Sequence, residues 1–146
     1  MLEEETAKHT TPMYRAPEML DTWSNYSVDT KADIWACGCL LFVLCFHHHP
    51  FEDSAKLAIV NGNYKIPPND TTYIMFHDLI RQMLTVDPSL RPDSNQVLQH
   101  LTGVSLSSGI DPTLVRTKYF SEYKLISKLK LFAKYRITRV PNFVVS

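Results

Sequence analysis

The chain has 146 residues, 45% of them apolar and 21% charged, with zero formal net charge. That length suits one modest domain with a real core, and that composition excludes an intrinsically disordered chain. Residues 1–101 carry 7 Lys and Arg against 13 Asp and Glu, while residues 102–146 carry 8 against 2, so an acidic first part is joined to a basic last part.

In chain order, Met1 to Glu5 shows no basic stretch leading into an apolar one, so no secretory signal is expected. Residues 11–20 form an irregular loop with two prolines. A polar connection over residues 21–30 leads to KADIWACGCLLFVLCF, read as a helix of about four turns. Thr30 and Asp33 resemble a capping box at its start. The helix is apolar on nearly every side, so it belongs at the centre of a helical domain. Its longest apolar run, Ile34 to Phe46, is too short for a bilayer, which needs about 20 residues. Cys37, Cys39 and Cys45 lie inside that run and read as reduced core cysteines of an intracellular protein.

Pro50 stops the helix. The His47-His48-His49 run reads as a solvated turn, because adjacent histidines diverge and make no preset ligand set. Residues 52–61 suggest a short amphipathic helix through Ala55, Leu57, Ile59 and Val60. Residues 71–85 suggest a second one, with Tyr73, Phe76, Leu79, Ile80 and Met83 at spacings of three and four. A loop, TVDPSLRPD, precedes a last helix ending at Leu101, capped by Asp93 or Ser94. TGVSLSSGID then reads as a linker. Residues 120–137 set Phe120, Tyr123, Leu125, Ile126, Leu129, Leu131, Phe132 and Tyr135 among lysines, a pattern for a basic amphipathic helix. Its lysines suit an anionic membrane surface or, more plainly, a solvated helix face; no nucleic-acid partner is expected.

Three motifs recur in a recognisable order. Thr11-Pro12-x-Tyr14-x-Ala16-Pro17-Glu18 resembles the end of a protein-kinase activation segment. Asp33-Ile34-Trp35-x-x-Gly38 opens the buried helix, and Asp87-Pro88-x-x-Arg91-Pro92 precedes the last one. Together they resemble the C-terminal part of a protein-kinase C-lobe over residues 1–101, a mainly α and incomplete kinase fold. The phrases TTPMYRAPEM, KADIWACGCLLFVLCF, HPFEDSAKLAIVNGNYKIPPND and HDLIRQML are similar to those of the auxilin-type kinases of the Numb-associated serine/threonine kinase family. Residues 102–146 match no family and form a basic tail.

Physical chemistry supports the motif residues independently. Glu18 and Arg91 stand in proline-stiffened loops that a bidentate carboxylate–guanidinium pair can tie together. Asp33 can cap backbone amides, and Gly38 permits close helix packing. The resemblance adds roles. It makes Thr11 the threonine that touches the catalytic Asp, Met13 and Tyr14 the wall facing the substrate residue after the acceptor, and Asp33 a hydrogen-bond partner of the catalytic loop. Ala16, Pro17, Glu18, Asp33, Trp35, Gly38 and Arg91 are then structural.

The resemblance implies ATP and Mg as cofactors of a full-length kinase, phosphorylation of protein Ser or Thr, clathrin-adaptor substrates, and a cytoplasmic site on clathrin-coated vesicles or perinuclear Golgi membranes. A kinase also needs a Gly-rich loop, a strand lysine, a catalytic-loop Asp and an Asp-Phe-Gly metal ligand. The four glycines, at 38, 62, 103 and 109, make no G-x-G-x-x-G, and the 146 residues contain neither His-Arg-Asp nor Asp-Phe-Gly. The chain is therefore expected to carry the substrate-side platform of a kinase whose N-lobe is elsewhere, with no catalytic, cofactor or metal residue of its own. The alternative is a non-catalytic interaction module derived from a C-lobe.

Overall fold

The computed structural model describes residues 12–52 and 56–109. Thr11, Ala55 and the basic stretch from residue 110 onward lie outside the described residues. Two compact units divide between Val97 and Leu98. Among the described residues the structure is helical, with no strand.

The first unit opens with a 3-10 turn, Pro12–Tyr14, followed by a single-turn helix α1, Pro17–Leu20, and a second 3-10 turn, Thr22–Ser24. Pro17 occupies the first helical position, where its missing N–H costs nothing. Asp21 accepts from the Trp23 amide and the Ser24 hydroxyl, and Asn25 closes the turn in the left-handed region at φ 55.

Helix α2, Thr30–Phe46, is the centre of the unit. Ala32, Ile34, Trp35, Cys37, Gly38, Cys39, Leu41, Phe42 and Cys45 are all buried, which places buried positions around most of its circumference. Its cap corrects the sequence expectation. Asp29, not Thr30, holds the cap position and accepts from the Lys31 amide at 2.7 Å. Asp29 has the extended backbone that a cap requires, and its carboxylate reaches the second helical amide, leaving Thr30 as the first helical residue. His47, at φ 63, ends the helix and returns its amide to the Val43 carbonyl.

Helix α3 is described over Lys56–Val60, within the expected amphipathic stretch, and Leu57 is exposed while Ile59 is buried. Helix α4, Ile74–Met83, buries Phe76, Leu79, Ile80 and Met83 and packs on α2. It starts after Tyr73 because Asp70 collects the Thr72 and Tyr73 amides and the His77 ring just ahead of it. Gly38 of α2 faces the end of α4 so closely that a methyl there would lie 2.9 Å from Met83 Cβ and from Leu84 Cδ2. That glycine sets the distance between the two helices.

Helix α5, Ser94–Ser107, crosses the division between the units. Asp93 and Gln96 cap it reciprocally, each side chain accepting the other's amide at 2.9 Å. The expected end at Leu101, with a linker from residue 102, is corrected. Leu101, Val104 and Ser105 are buried at helical spacing. The hydroxyls of Thr102 and Ser107 donate back to the carbonyls of Leu98 and Val104, so small polar residues stay inside the helix without competing for it. Gly109, at φ 64, marks the end of the described residues. None of the described helices is long and apolar enough to cross a membrane.

Candidate functional site

The site is the stretch from Pro12 to Glu18 and the groups that hold it in place. Ala16 is fully buried and extended, and its carbonyl accepts the Met19 amide, which starts α1. That turn points the Glu18 carboxylate inward, where solvent does not reach the side chain.

Arg91 meets it there. Arg91 Nη1 donates to Glu18 Oε1 at 2.8 Å and Nη2 donates to Oε2 at 3.0 Å, the parallel fork that guanidinium geometry favours. The three remaining N–H groups go to backbone carbonyls: Nε to Thr85 at 3.0 Å, Nη2 to Val86 at 3.2 Å, and Nη1 to Lys31. All five donors of the guanidinium are thus satisfied. Lys31 returns the contact, its Nζ donating to the Arg91 carbonyl. The guanidinium also lies 5.2 Å from the centre of the Trp35 ring. A buried ion pair is costly to desolvate, and it persists where every remaining polar atom is hydrogen-bonded. That condition is met here at the Arg91 guanidinium.

The other end of the stretch rests on rings. The Pro12–Tyr14 turn packs against α2, with Met13 and Tyr14 half-buried. Tyr14 meets His49 edge to face, centroids 4.8 Å apart. His49 Nδ1 accepts the Phe51 amide at 3.0 Å. Phe51 stacks on Trp35 at 5.5 Å and 10°. Trp35, fully buried, therefore lies between the Phe51 ring and the Arg91 guanidinium. Its indole Nε1 has no hydrogen-bond partner among the described residues.

The structure thus brings Ala16, Pro17, Glu18, Trp35 and Arg91 together, with Tyr14 on the same ring cluster through His49 and Met13 next to it in the 3-10 turn. Asp33 stands half-buried in the first turn of α2. Gly38 sits one turn further along, at the contact with α4 rather than at Arg91. Thr11 falls outside the described residues. The histidine run is not uniformly solvated as expected: His47 and His48 are exposed, but His49 is buried, and burial lowers its proton affinity. Sequence reasoning also missed Lys31. A cation at the second residue of a helix is usually solvated, and only the folded position of Arg91 gives it a partner.

Burial controls the thiols as well. Desolvation pushes both Cys39 and Cys45 up to about 12, so neither is a nucleophile near neutral pH.

A mainly helical lobe built on one central helix, with a proline-bounded segment anchored to it by a buried Glu–Arg pair, is the C-terminal part of a protein-kinase C-lobe. The chain belongs to the protein kinase domain family, whose model matches residues 2–101. It is similar to a probable serine/threonine-protein kinase of Dictyostelium discoideum, 44% identical over 106 residues, covering 73% of this chain and 13% of that protein. A second probable serine/threonine-protein kinase of that organism is 46% identical over 99 residues, 68% of this chain and 9% of the relative. Actin-regulating kinase 1 of Saccharomyces cerevisiae is 38% identical over 101 residues, 69% of this chain and 16% of the relative. The chain therefore spans only a small part of each of these proteins.

Proposed function

We propose that these residues form the substrate-side platform of a serine/threonine protein kinase of the auxilin type, acting on clathrin-adaptor proteins in the cytoplasm at coated vesicles or perinuclear Golgi membranes. The supporting observation is the buried Glu18–Arg91 pair, which fixes the far end of the segment that carries Met13 and Tyr14. Phosphoryl transfer depends on positioning, and a peptide hydroxyl is positioned only as well as the wall beside it. In this reading ATP and Mg bind to kinase elements outside these 146 residues, and the chain itself supplies peptide contacts through Met13 and Tyr14. Thr11 would connect that wall to the catalytic loop.

The similarity to a kinase named for regulating actin makes actin-regulatory proteins the competing substrate class. A fluorescence-anisotropy panel of Ser- and Thr-containing peptides from adaptor and actin-regulatory proteins, titrated with the purified chain, tests the reading. Binding to adaptor peptides that weakens in Tyr14→Ala supports it. Equal binding by the Tyr14→Ala variant would rule out this wall as the peptide contact. A radiolabelled phosphate-transfer assay on the same preparation should show no transfer, and magnesium-dependent transfer lost in Thr11→Ala would show that the chain is itself a catalyst.

A further inference from the structure

The segment from Pro12 to Glu18 is fastened at two ends by different chemistry. At Glu18 the fastening is an ion pair with an arginine that stays protonated at any physiological pH. At Tyr14 it is a histidine ring. Histidine is the side chain whose charge changes most readily near neutrality.

The hydrogen bond at His49 fixes its protonation state. The Phe51 amide is a donor, so Nδ1 must be a bare acceptor, and the ring proton sits on Nε2. That Nε2 is buried and has no hydrogen-bond partner among the described residues. The residue as a whole is 8% exposed. It touches Tyr14 on one side and lies 6.2 Å from the Phe51 ring on another. A second proton would put an N–H opposite the Phe51 N–H, and a positive charge in a site with little water. Glu52, on the same loop, is the charged group whose field favours that proton, and Tyr14 is the titratable neighbour on the facing turn. Desolvation outweighs the field of Glu52, so the neutral ring is the native form.

We propose that His49 is a protonation switch beneath the Met13–Tyr14 wall: the neutral ring holds Tyr14 in place, and the protonated ring releases it while Glu18 stays tied to Arg91. Acid would then loosen the peptide-facing end of the segment without unfolding the lobe. The regulatory meaning of this switch rests on the substrate-platform reading above; the coupling of His49 to Tyr14 does not.

The test uses the full chain with isotope-labelled His and Tyr rings, followed by NMR from about pH 8 to about pH 5, the range in which a histidine titrates. His49 should titrate below its ordinary 6.5, and the Tyr14 ring signals should move with the same midpoint. In an arginine-labelled sample, the Arg91 Nε–H signal, reporting the Glu18 end through its bond to the Thr85 carbonyl, should stay fixed through that transition. In His49→Gln the amide oxygen can still accept the Phe51 N–H but cannot titrate, so the Tyr14 transition should vanish. A His49 midpoint at or above 6.5, or Tyr14 signals that ignore it, would overturn the switch. In a second arm, labelled Ser/Thr peptide affinity should fall about threefold or more on acidification, a change of roughly 0.6 kcal/mol or more. It should stay flat in His49→Gln. Peptide binding that ignores pH in the wild-type chain would refute the gate. Intact coupling with no peptide binding at any pH would remove the platform reading and leave the His49–Tyr14 switch standing.

Discussion

Glu18 and Arg91 are 73 positions apart in sequence and face each other through two parallel hydrogen bonds, with neither side chain reached by solvent. Replacing Glu18 with Gln should cost about 3–5 kcal/mol, because the guanidinium keeps its charge and loses the compensating one. Arg91→Lys should cost a similar amount, since a lysine cannot fork to two carboxylate oxygens and still reach the carbonyls of Thr85, Lys31 and Val86. Urea unfolding of the two variants measures this. A loss near the 0–1 kcal/mol of an exposed pair would mean that the buried geometry is wrong.

Trp35→Ala should destabilise by about 3–5 kcal/mol through the cavity it leaves. Trp35→Phe should cost clearly less, because a smaller ring keeps the stack on Phe51 and removes the unpartnered indole N–H. Thermal unfolding of the pair gives the comparison. Equal losses would show that the indole nitrogen has a partner.

Two helical glycines should respond oppositely to alanine. At Gly38 the new methyl meets Met83 Cβ and Leu84 Cδ2 at 2.9 Å, so Gly38→Ala should force α2 and α4 apart at about 1–3 kcal/mol. At Gly103 no described residue lies within 4 Å, so Gly103→Ala should stabilise α5 by up to about 1 kcal/mol. Denaturant midpoints that move in the same direction for both would contradict the packing described.

Cys39 and Cys45 should resist iodoacetamide at about pH 8 while the chain is folded, and react promptly in urea, because only the thiolate attacks. Their thiols are pushed up to about 12, chiefly by burial. Rapid labelling without denaturant, followed by mass spectrometry, would show the core to be open.

Asp70 should make the start of α4 sensitive to strong acid. Partial desolvation raises its proton affinity, but hydrogen bonds from the His77 ring and the Tyr73 and Thr72 amides more than reverse this, leaving it below its ordinary 3.8. The unfolded chain therefore takes up the proton first as pH falls. The contribution of Asp70 is complete above 3.8 and is lost as pH drops through its native value. Amide exchange at Thr72 and Tyr73 should accelerate in that window in the wild type and lose its pH step in Asp70→Asn.

Much of the fold was legible because α2 is apolar on nearly all sides, a pattern that leaves it no place but the centre. The meeting of Glu18 with Arg91 was legible because both stand in motifs that resemble those of protein kinases; beside a proline alone, each would read as a solvated charge. What was not legible depended on distant parts of the chain. The polar run after Leu101 looks like a linker until Val104 and Ser105 are found buried and the hydroxyls of Thr102 and Ser107 are seen to bond within their own helix. Asp29 displaced Thr30 as the cap because cap identity follows backbone shape, which spacing does not report. His49 looked like its two exposed neighbours, and only the folded position of Tyr14 and Phe51 separates it from them.

The five bonds of Arg91 have a mechanical consequence. A pull on the chain ahead of Pro12 is carried first by Tyr14 and its ring neighbours, whose contacts yield one at a time. The same pull reaching Glu18 is transmitted at once to the start of α2 and to the Thr85–Val86 turn, because one planar group bridges all three. The segment should behave under load as a compliant arm mounted on a stiff root, able to swing at Tyr14 many times over without loosening its anchor.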